Sequence, residues 1–434
     1  MNLMRVDVAF GKTGLRVDLP PGFRYQLLET RSAQPLADWP RRLEAALNDP
    51  IGRPALADLA LGKRTAAISV CDITRPAPNP QTLPLVLREL ERAGIQRDGI
   101  TILIATGLHR GATELEIRQI CGEAVAQNYR VVNHDARNLS SHRHLGSTAS
   151  GTPVYIDERF VAADLHITLG FIEPHLMLGF SGGRKLVAPG LAAQETIKVL
   201  HSPRFMRDSR AVEGSTEDNP LHRELLAIAR MARHDFILDV ALARDRSIAG
   251  IFAGDPELAH REGVEFVSKT LLESLEEPVD AVITSGAGYP LDLTFYQVIK
   301  GVTAAAHIVK PGGRILVLGK CEEGAGAPEF REMLLSGVSD AGFLNRIANS
   351  AVVVDQWQLE KLALVTTAQK LFYYVPGLAP EYHPKLWGAS YETPESAVSA
   401  LLAGLPPQAR VAVIPEGPYV LARCLGAREP QAVA

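Results

Sequence analysis

The sequence predicts an α/β protein with two α/β domains and mainly parallel sheets. Short apolar runs repeatedly precede amphipathic stretches, which is the pattern of strands alternating with helices. The chain has 434 residues, of which 46% are hydrophobic, and this is enough for two hydrophobic cores. Strands that alternate with helices favour parallel pairing, because each helix carries the chain back across the sheet.

The first domain contains the clearer strand-then-helix series. Residues 1–19 alternate apolar and polar side chains as a strand does. Two pairs of segments come next, TAAISVCD before PQTLPLVLRELERAG and ITILIATG before ATELEIRQICGEA. The runs YRVVNHDA and DLHITLG predict two more buried strands. Each ends in polar or glycine residues, where open α/β sheets normally place functional loops.

A second series predicts the second domain. It runs through VDAVITSGAGYP, FYQVIKGVTAAAHIVK and GRILVLGKCEEG and ends near RVAVIPEG. Between the two series, HDFILDVALARDRSIAGIFAGD predicts a hairpin and PELAHREGVEFVSKTLLESLE a connecting helix. We therefore predict an N-terminal domain of residues 1–275 and a C-terminal domain of residues 276–434.

Charge and cysteine content narrow the functional class. The formal net charge of −4 gives no electrostatic reason to expect nucleic acid or an anionic membrane as a partner. The four cysteines are scattered without CxxC spacing, as in a reduced cytoplasm. No run approaches the ~20 apolar residues of a membrane span, and residues 1–19 lack the apolar stretch of a secretory signal. We expect a cytoplasmic protein that acts on a small molecule.

Three clusters of reactive side chains come directly after predicted strands. They are Asp72–Pro76, Thr106–Arg110 and Glu173–Lys185. Loops at one edge of a parallel sheet converge, so these clusters are expected to share one crevice. His109 and His175 lie in such loops and are candidate acid/base groups, whereas His166 lies in an apolar run and is predicted to be structural.

The glycine pair before Lys185 has two interpretations. Gly182 and Gly183 would let backbone amides approach a phosphate, and a tight surface turn would have the same composition. The segment is neither a Walker A loop nor the GxGxxG fingerprint of dinucleotide sites.

Taken together, the motifs resemble the lactate racemase family, because several of them occur in the family's order. The matching segments of the first domain are DITRP at 72–76, TGLHR at 106–110, EPH at 173–175, SGGRK at 181–185, PGLA at 189–192 and His201. Those of the second domain are Tyr296, Gln297 and Lys300 in FYQVIKG and Trp357 in DQWQLEK.

The resemblance implies a nickel-pincer nucleotide, that is, a pyridinium-3-thioamide-5-thiocarboxylic acid mononucleotide that carries nickel. It would be attached covalently to Lys185, with His201 as the protein ligand of the nickel and with Asp72, Gly182 and Gly183 beside the cofactor. Sulfur donors with one imidazole suit square-planar Ni(II). Such a cofactor also implies partner proteins that synthesise and load it.

The resemblance further implies that His109 and His175 flank the substrate as two acid/base residues. One imidazole would take the hydroxyl proton while hydride leaves C2 for the cofactor, and return to the other face would invert the centre. An imidazole pKa near ~6.5 suits both directions of proton transfer.

The remaining matched residues are predicted to bind substrate: Arg75, Tyr296, Gln297, Lys300 and Trp357. An arginine fork fits a carboxylate, but a salt bridge with Asp72 would equally explain Arg75, and core packing would explain Trp357. Because these residues come from both predicted domains, we expect the active site in the cleft between them.

The resulting hypothesis is a racemase or epimerase of 2-hydroxy acids, most simply lactate. Two alternatives stay open: the same chemistry on a longer aldonate or a malate-type acid, and a nicotinamide-dependent dehydrogenase. The dehydrogenase would need a dinucleotide fingerprint that this sequence lacks.

Overall fold

The computed structural model describes residues 4–424 and divides into two compact units. The first unit consists of Ser32–Leu200 and Arg210–Thr270. The second unit consists of the described parts of Met1–Arg31, His201–Ser209 and Leu271–Ala434. The α/β class with mainly parallel sheets is confirmed.

The strands are short and spread along the whole described chain. In chain order they are β1 (Met4–Val8), β2 (Leu15–Leu19), β3 (Arg24–Leu27), β4 (Ala66–Cys71), β5 (Ile100–Ala105), β6 (Arg130–Asn133), β7 (His142–Ser147), β8 (Pro153–Asp157), β9 (Leu165–Phe171), β10 (Pro174–His175), β11 (Gly179–Phe180), β12 (Phe236–Leu242), β13 (Ile248–Gly254), β14 (Leu272–Leu275), β15 (Val279–Ser285), β16 (Val309–Leu318), β17 (Lys370–Tyr374), β18 (Ala389–Ser390), β19 (Arg410–Ile414) and β20 (Leu421–Cys424).

Helices alternate with these strands in both units. They are α1 (Trp39–Asn48), α2 (Leu56–Ala60), α3 (Asn79–Arg92), α4 (Glu114–Cys121), α5 (Glu123–Asn128), α6 (Glu158–Val161), α7 (Gln194–Leu200), α8 (Pro203–Met206), α9 (Pro220–Met231), α10 (Leu258–Leu271), α11 (Phe295–Ala306), α12 (Pro328–Leu335), α13 (Asp340–Ala348), α14 (Gln356–Thr366) and α15 (Pro394–Leu402). No helix in the described range is long and apolar enough to cross a membrane.

The sheet of the first unit has the order β13-β12-β9-β4-β5-β6. All pairs are parallel except β12 with β13, which form the predicted antiparallel hairpin. Strands β4 and β9 are buried along their whole length, which explains why both appear in the sequence as continuous apolar runs. The chain runs from β4 outward to β6 and then returns to place β9 on the other side of β4, so the strand order reverses between β4 and β9. Open α/β sheets bind ligands at such a reversal.

The second unit repeats this principle with a fully parallel sheet of order β18-β17-β16-β15-β19-β3. Its order reverses between β15 and β19. Helix α11 comes after β15, so the residues at the start of α11 lie beyond the carboxyl end of a strand beside the reversal.

The compact units group the chain differently from the predicted ranges 1–275 and 276–434. One change between the units falls near residue 271, and Met1–Arg31 and His201–Ser209 pack with the second unit. The physical reason is that β3 pairs with β19, and the hairpin of β1 and β2 covers the core formed by β15, β16 and β19. The assignment of functional roles to the two ranges stays a prediction.

Candidate functional site

The carboxyl ends of three neighbouring strands carry the predicted motifs of the first unit. Asp72 comes after β4, His109 after β5, and Glu173 and His175 after β9. These strands are adjacent in the order β9-β4-β5, at the reversal of the sheet. The predicted convergence of the three clusters at one sheet edge agrees with this order.

Asp72 is the partner of His109. Its Oδ2 lies 2.6 Å from Nδ1 of the imidazole, and its Oδ1 accepts hydrogen bonds from the hydroxyl of Thr74 at 2.6 Å and from the Thr74 amide at 3.2 Å. Burial opposes ionisation of this carboxyl, which is only 6% exposed, but the hydrogen bonds of His109 and Thr74 outweigh burial and hold its pKa below its usual range. Asp72 therefore stays ionised and orients His109. Its predicted position beside the cofactor stays a prediction.

Arg75 pairs with the acid of the neighbouring motif. Its Nη1 lies 3.7 Å from Oε1 of Glu173, and both side chains are about one-fifth exposed. The sequence suggested Asp72 as the structural partner of this arginine. The charge of Arg75 does contribute to the lowered pKa of Asp72. The contact with Glu173 joins the loop after β4 to the loop after β9.

His175 is positioned by backbone. It ends the two-residue strand β10, which pairs with β11 in the register His175 to Gly179. The amide of Met177 donates to Nδ1 of His175 over 3.4 Å. Gly179 has a φ of +77°, and a β-carbon there would overlap the carbonyl oxygen of Ser215, so only glycine fits this turn.

The two histidines are held in different tautomers. Nδ1 of His109 faces a carboxylate and therefore carries the proton, which leaves Nε2 of the neutral ring as an acceptor. Nδ1 of His175 faces an N–H group and therefore accepts, which puts the proton of the neutral ring on Nε2. In the neutral forms of the two rings, Nε2 of His109 is thus an acceptor and Nε2 of His175 a donor.

The turn that contains Lys185 lies over the same strand ends. Gly183–Leu186 form a 3-10 turn, whose Leu186 carbonyl accepts a hydrogen bond from Ser69 of β4 at 2.8 Å. Among residues 181–188, Lys185 alone is partly exposed and the other seven are buried. The surface-turn interpretation is therefore wrong, since this is a buried turn that presents one side chain.

Gly182 shows why the glycine pair is needed. Its φ is +85°, and a β-carbon there would lie 2.6 Å from Oδ2 of Asp239. Asp239 of β12 is a site residue that sequence reasoning missed. Its only signal was a single acid within the apolar run FILDVAL.

The charges around Cys71 give independent evidence of the convergence. Burial and the charge of Asp72 raise the pKa of this thiol to about 12, while Arg75 and Lys185 act in the opposite direction and Asp239 raises it further. Four ionisable groups from three segments of the chain therefore act on the thiol at the end of β4.

The second unit holds the remaining predicted residues. The rings of His201 and Trp357 have centroids 4.3 Å apart, and the indole N–H of Trp357 donates to Oη of Tyr296 at 3.0 Å. Trp357 is buried in α14, and Tyr296 lies at the start of α11. His201, Trp357 and Tyr296 thus form one connected group.

The segment of His201 is fixed to α14 by a second contact. Nε of Arg207 lies 2.7 Å from Oε1 of Glu360, which is fully buried, and the same arginine donates to the Leu344 carbonyl at 2.6 Å. Burial raises the pKa of Glu360, and Arg207 opposes this shift. Two side chains therefore attach residues 201–209 to this helix.

Gln297 and Lys300 lie on α11 with Tyr296. The Oε1 atom of Gln297 is buried and has no hydrogen-bond partner in the described protein. An unpaired buried acceptor is costly unless a ligand or water completes it. This observation favours the predicted binding role of Gln297.

The described residues contain no group of three or more His, Cys, Asp or Glu side chains arranged to hold a metal ion. The four cysteine thiols are all free. A cofactor that brings most of its own metal donors is compatible with this composition.

Family models match both parts of the chain. The lactate racemase N-terminal domain matches residues 10–214, and the lactate racemase C-terminal domain matches residues 275–422. Lactate racemase of Thermoanaerobacterium thermosaccharolyticum is 34% identical over 426 residues, which cover 97% of this chain and 100% of the relative. Lactate racemase of Lactiplantibacillus plantarum is 35% identical over 384 residues, which cover 88% of this chain and 90% of the relative.

Solved structures give the same likeness. The lactate racemase apoprotein of T. thermosaccharolyticum has a TM-score of 0.90 at 33% identity and covers 97% of this chain and 100% of its own. A protein of Thermotoga maritima has a TM-score of 0.67 at 17% identity, covers 91% of this chain and 100% of its own, and shows the fold alone.

Proposed function

Because this chain belongs to the lactate racemase family and is an isomerase of the racemase type, we propose that it interconverts the two configurations at C2 of a 2-hydroxy acid by proton-coupled hydride transfer. Lactate is the first substrate to test, since both curated relatives are lactate racemases. The observation that carries the proposal is the pair of loop histidines held in opposite tautomers at one sheet edge.

The residues around Lys185 fit a covalently attached nucleotide. The turn is buried except for the lysine, and Gly182 and Gly183 let its backbone pack closely against Asp239 and His260. We propose Lys185 as the attachment site and His201 as the protein ligand of nickel. When bound, the nickel-pincer nucleotide would supply reversible hydride acceptance, which no amino-acid side chain offers.

The protein residues supply proton transfer and orientation. His109 would take the hydroxyl proton of one enantiomer at Nε2, while Asp72 stabilises the imidazolium that forms. His175 would serve the other enantiomer, which requires Nε2 of its ring to be unprotonated when that enantiomer binds. In each turnover one histidine takes a proton and the other gives one, so the two exchange roles between the two directions.

The remaining predicted residues would orient the substrate. Arg75 would bind the carboxylate, because its fork matches two oxygens and Glu173 keeps it in place. Gln297, Lys300 and Tyr296 would contact the hydroxyl or the remaining carboxylate oxygen, and Trp357 would limit the space at C2. The same set would serve a longer 2-hydroxy acid, so the assay includes malate and an aldonate beside lactate.

Attachment is tested by intact-protein mass spectrometry. The protein is produced together with cofactor-synthesis proteins, and an adduct on the wild type that is absent from Lys185→Ala supports the proposal. Lys63→Ala, at a partly exposed lysine directly after the turn at residues 61–62, is the matched control. A wild type without adduct, or an adduct that survives in Lys185→Ala, contradicts it.

The nickel ligand is tested separately by metal analysis of washed protein. His201→Ala should lose nickel and keep the organic part of the adduct, because only one of the metal's donors would come from the protein. Undiminished nickel in the variant would rule out His201.

A further inference from the structure

Arg184, the residue before Lys185, is completely buried. It is among the largest fully buried side chains of the described protein, with an exposure of 0%. A buried guanidinium is costly unless its donors and its charge are satisfied. The contacts that satisfy Arg184 therefore indicate the role of this side chain.

The guanidinium is enclosed by the carbonyl groups of its own loop. Nη2 donates to the carbonyls of Leu178 at 3.2 Å and Phe180 at 2.9 Å. Nη1 donates to the carbonyls of Ser181 at 3.4 Å and Gly182 at 3.3 Å. A lysine could not reproduce this arrangement, because only the planar fork points donors in several fixed directions at once.

His260 and Asp239 complete the surroundings. Nε2 of His260 lies 2.7 Å from Nη1 of Arg184 and 2.8 Å from the carbonyl oxygen of Ser181. Burial holds the pKa of His260 well below its usual value, so this ring is neutral. Burial also lowers the pKa of Arg184 to about 9, which leaves it charged at neutral pH.

Asp239 is the nearby acid whose charge, when it is ionised, opposes that of Arg184. It is fully buried on β12, and neither of its carboxylate oxygens makes a hydrogen bond with ordinary geometry. Burial raises its pKa to about 7, and the charge of Arg184 and the Gly183 amide act against that rise. Asp239 also lies directly against Gly182, so it touches the loop as well as balancing its charge.

These contacts fix the backbone from which Lys185 extends. Residues 178–182 turn four carbonyls inward to one guanidinium, so the loop has one conformation in which all are satisfied. We propose that Arg184 is a positioning residue, which together with Asp239 packed against Gly182 holds the loop so that the amine of Lys185 is presented for covalent attachment of the nucleotide. This inference rests on the proposed attachment at Lys185.

The test separates positioning from stability. Arg184→Met removes all donors and leaves Asp239 without its cation, so we expect a lower Tm and an attachment rate about 10- to 100-fold lower, as for a misplaced reacting group. Arg184→Met/Asp239→Asn removes both charges but leaves the four carbonyls without their donor, so Tm should recover in part while attachment does not. Recovery of attachment together with Tm would overturn the proposal.

Two further variants guard against misfolding and general destabilisation. Arg184→Lys keeps the charge and loses the fork, so it should lower Tm less than Arg184→Met does and still attach more slowly; wild-type attachment would overturn the proposal. Leu90→Ala opens a cavity in the core of the same unit, and should lower Tm without slowing attachment. Equal slowing by Leu90→Ala would show that attachment depends on stability alone.

Hydrogen exchange of the protein without cofactor gives a readout independent of loading. We expect amides of residues 179–186 to exchange at least about tenfold faster in Arg184→Met/Asp239→Asn, because their loop loses its central donor. Unchanged protection would overturn the proposal whether or not the wild type carries an adduct. A wild type without adduct would instead refute the proposed function.

Discussion

The two candidate acid/base histidines differ in what holds them. His109 is oriented by a buried carboxylate at 2.6 Å, whereas His175 has a backbone amide at 3.4 Å and a tight hairpin that depends on Gly179. A charged partner stabilises the protonated imidazole, and an amide donor stabilises only the neutral one. Two residues proposed for the same chemical task are therefore held by different kinds of partner in this protein.

Removing either ring should have the largest effect. With His109→Ala or His175→Ala, racemisation should fall about 100- to 10,000-fold, because one direction loses its acid/base group. In single-turnover mixing with separate enantiomers, each variant should form keto acid preferentially from one of them, and the preferences should be opposite. Near-normal racemisation by either variant would end the two-histidine mechanism, and equal residual turnover of both enantiomers would reduce one histidine to an orienting role.

Replacing the carboxylate should affect one direction more than the other. Asp72→Asn places an amide beside Nδ1 of His109, which favours the tautomer with the proton on Nε2 and makes His109 resemble His175. We expect a loss of about 10- to 100-fold, the usual effect of removing the partner of a functional imidazole, confined to the enantiomer that His109→Ala also fails to convert. Asp58→Asn, on an exposed helix turn, is the matched control. An equal loss for both enantiomers would contradict the asymmetry.

Disturbing the hairpin should affect the other direction. Gly179→Ala forces a β-carbon onto the carbonyl of Ser215, so His175 should shift and its enantiomer should lose about tenfold in rate. Gly151→Ala is the control, because it has a similar φ of +88° with nothing within 4 Å of the new β-carbon. Equal effects of the two variants would mean that backbone strain alone, rather than the placement of His175, causes the loss.

The smallest effect concerns stability against pH. The pKa of Asp72 is lowered in the folded protein, so its contribution is present above its unfolded pKa and is lost as pH falls through its folded pKa. The free energies of unfolding of the wild type and Asp72→Asn, measured by thermal unfolding, should differ by about 2 kcal/mol between pH 5 and 8. This difference should shrink as pH falls below about 4. A difference in unfolding free energy that grew as pH fell would contradict the lowered pKa of Asp72. The corresponding substitution cannot be made for His175, because its partner is a backbone amide that does not titrate.

Sequence patterns predicted the strands that carry the site. Buried parallel strands are recognisable as apolar runs, and the residues directly after each run lie at one edge of the sheet. This is why DITRP, TGLHR and EPH were placed correctly after β4, β5 and β9. His166 is also confirmed as structural, since it is fully buried with Nδ1 at 2.7 Å from Asp235.

The sequence pattern could not predict which strands and side chains from distant segments contact each other. Nothing in the short run of β3 specifies β19 as its neighbour, because strand pairing is a long-range choice. The pairing of Arg75 with Glu173, and the burial of Arg184 beside a partly exposed lysine, depend on how loops fold over the sheet. Composition places arginine at the surface, and only the ring of inward carbonyls explains the exception.

The order in which the chain visits the two units has a consequence for how the protein is assembled and divided. The second unit is built from both ends of the chain and from residues 201–209, so the first unit is in effect a domain inserted into another domain. A fragment ending at residue 275 would contain β3 without β19, and a fragment beginning at 276 would expose the core that the β1–β2 hairpin covers. We therefore expect that neither fragment folds on its own. During synthesis, β3 cannot pair with β19 until nearly the whole chain has emerged from the ribosome.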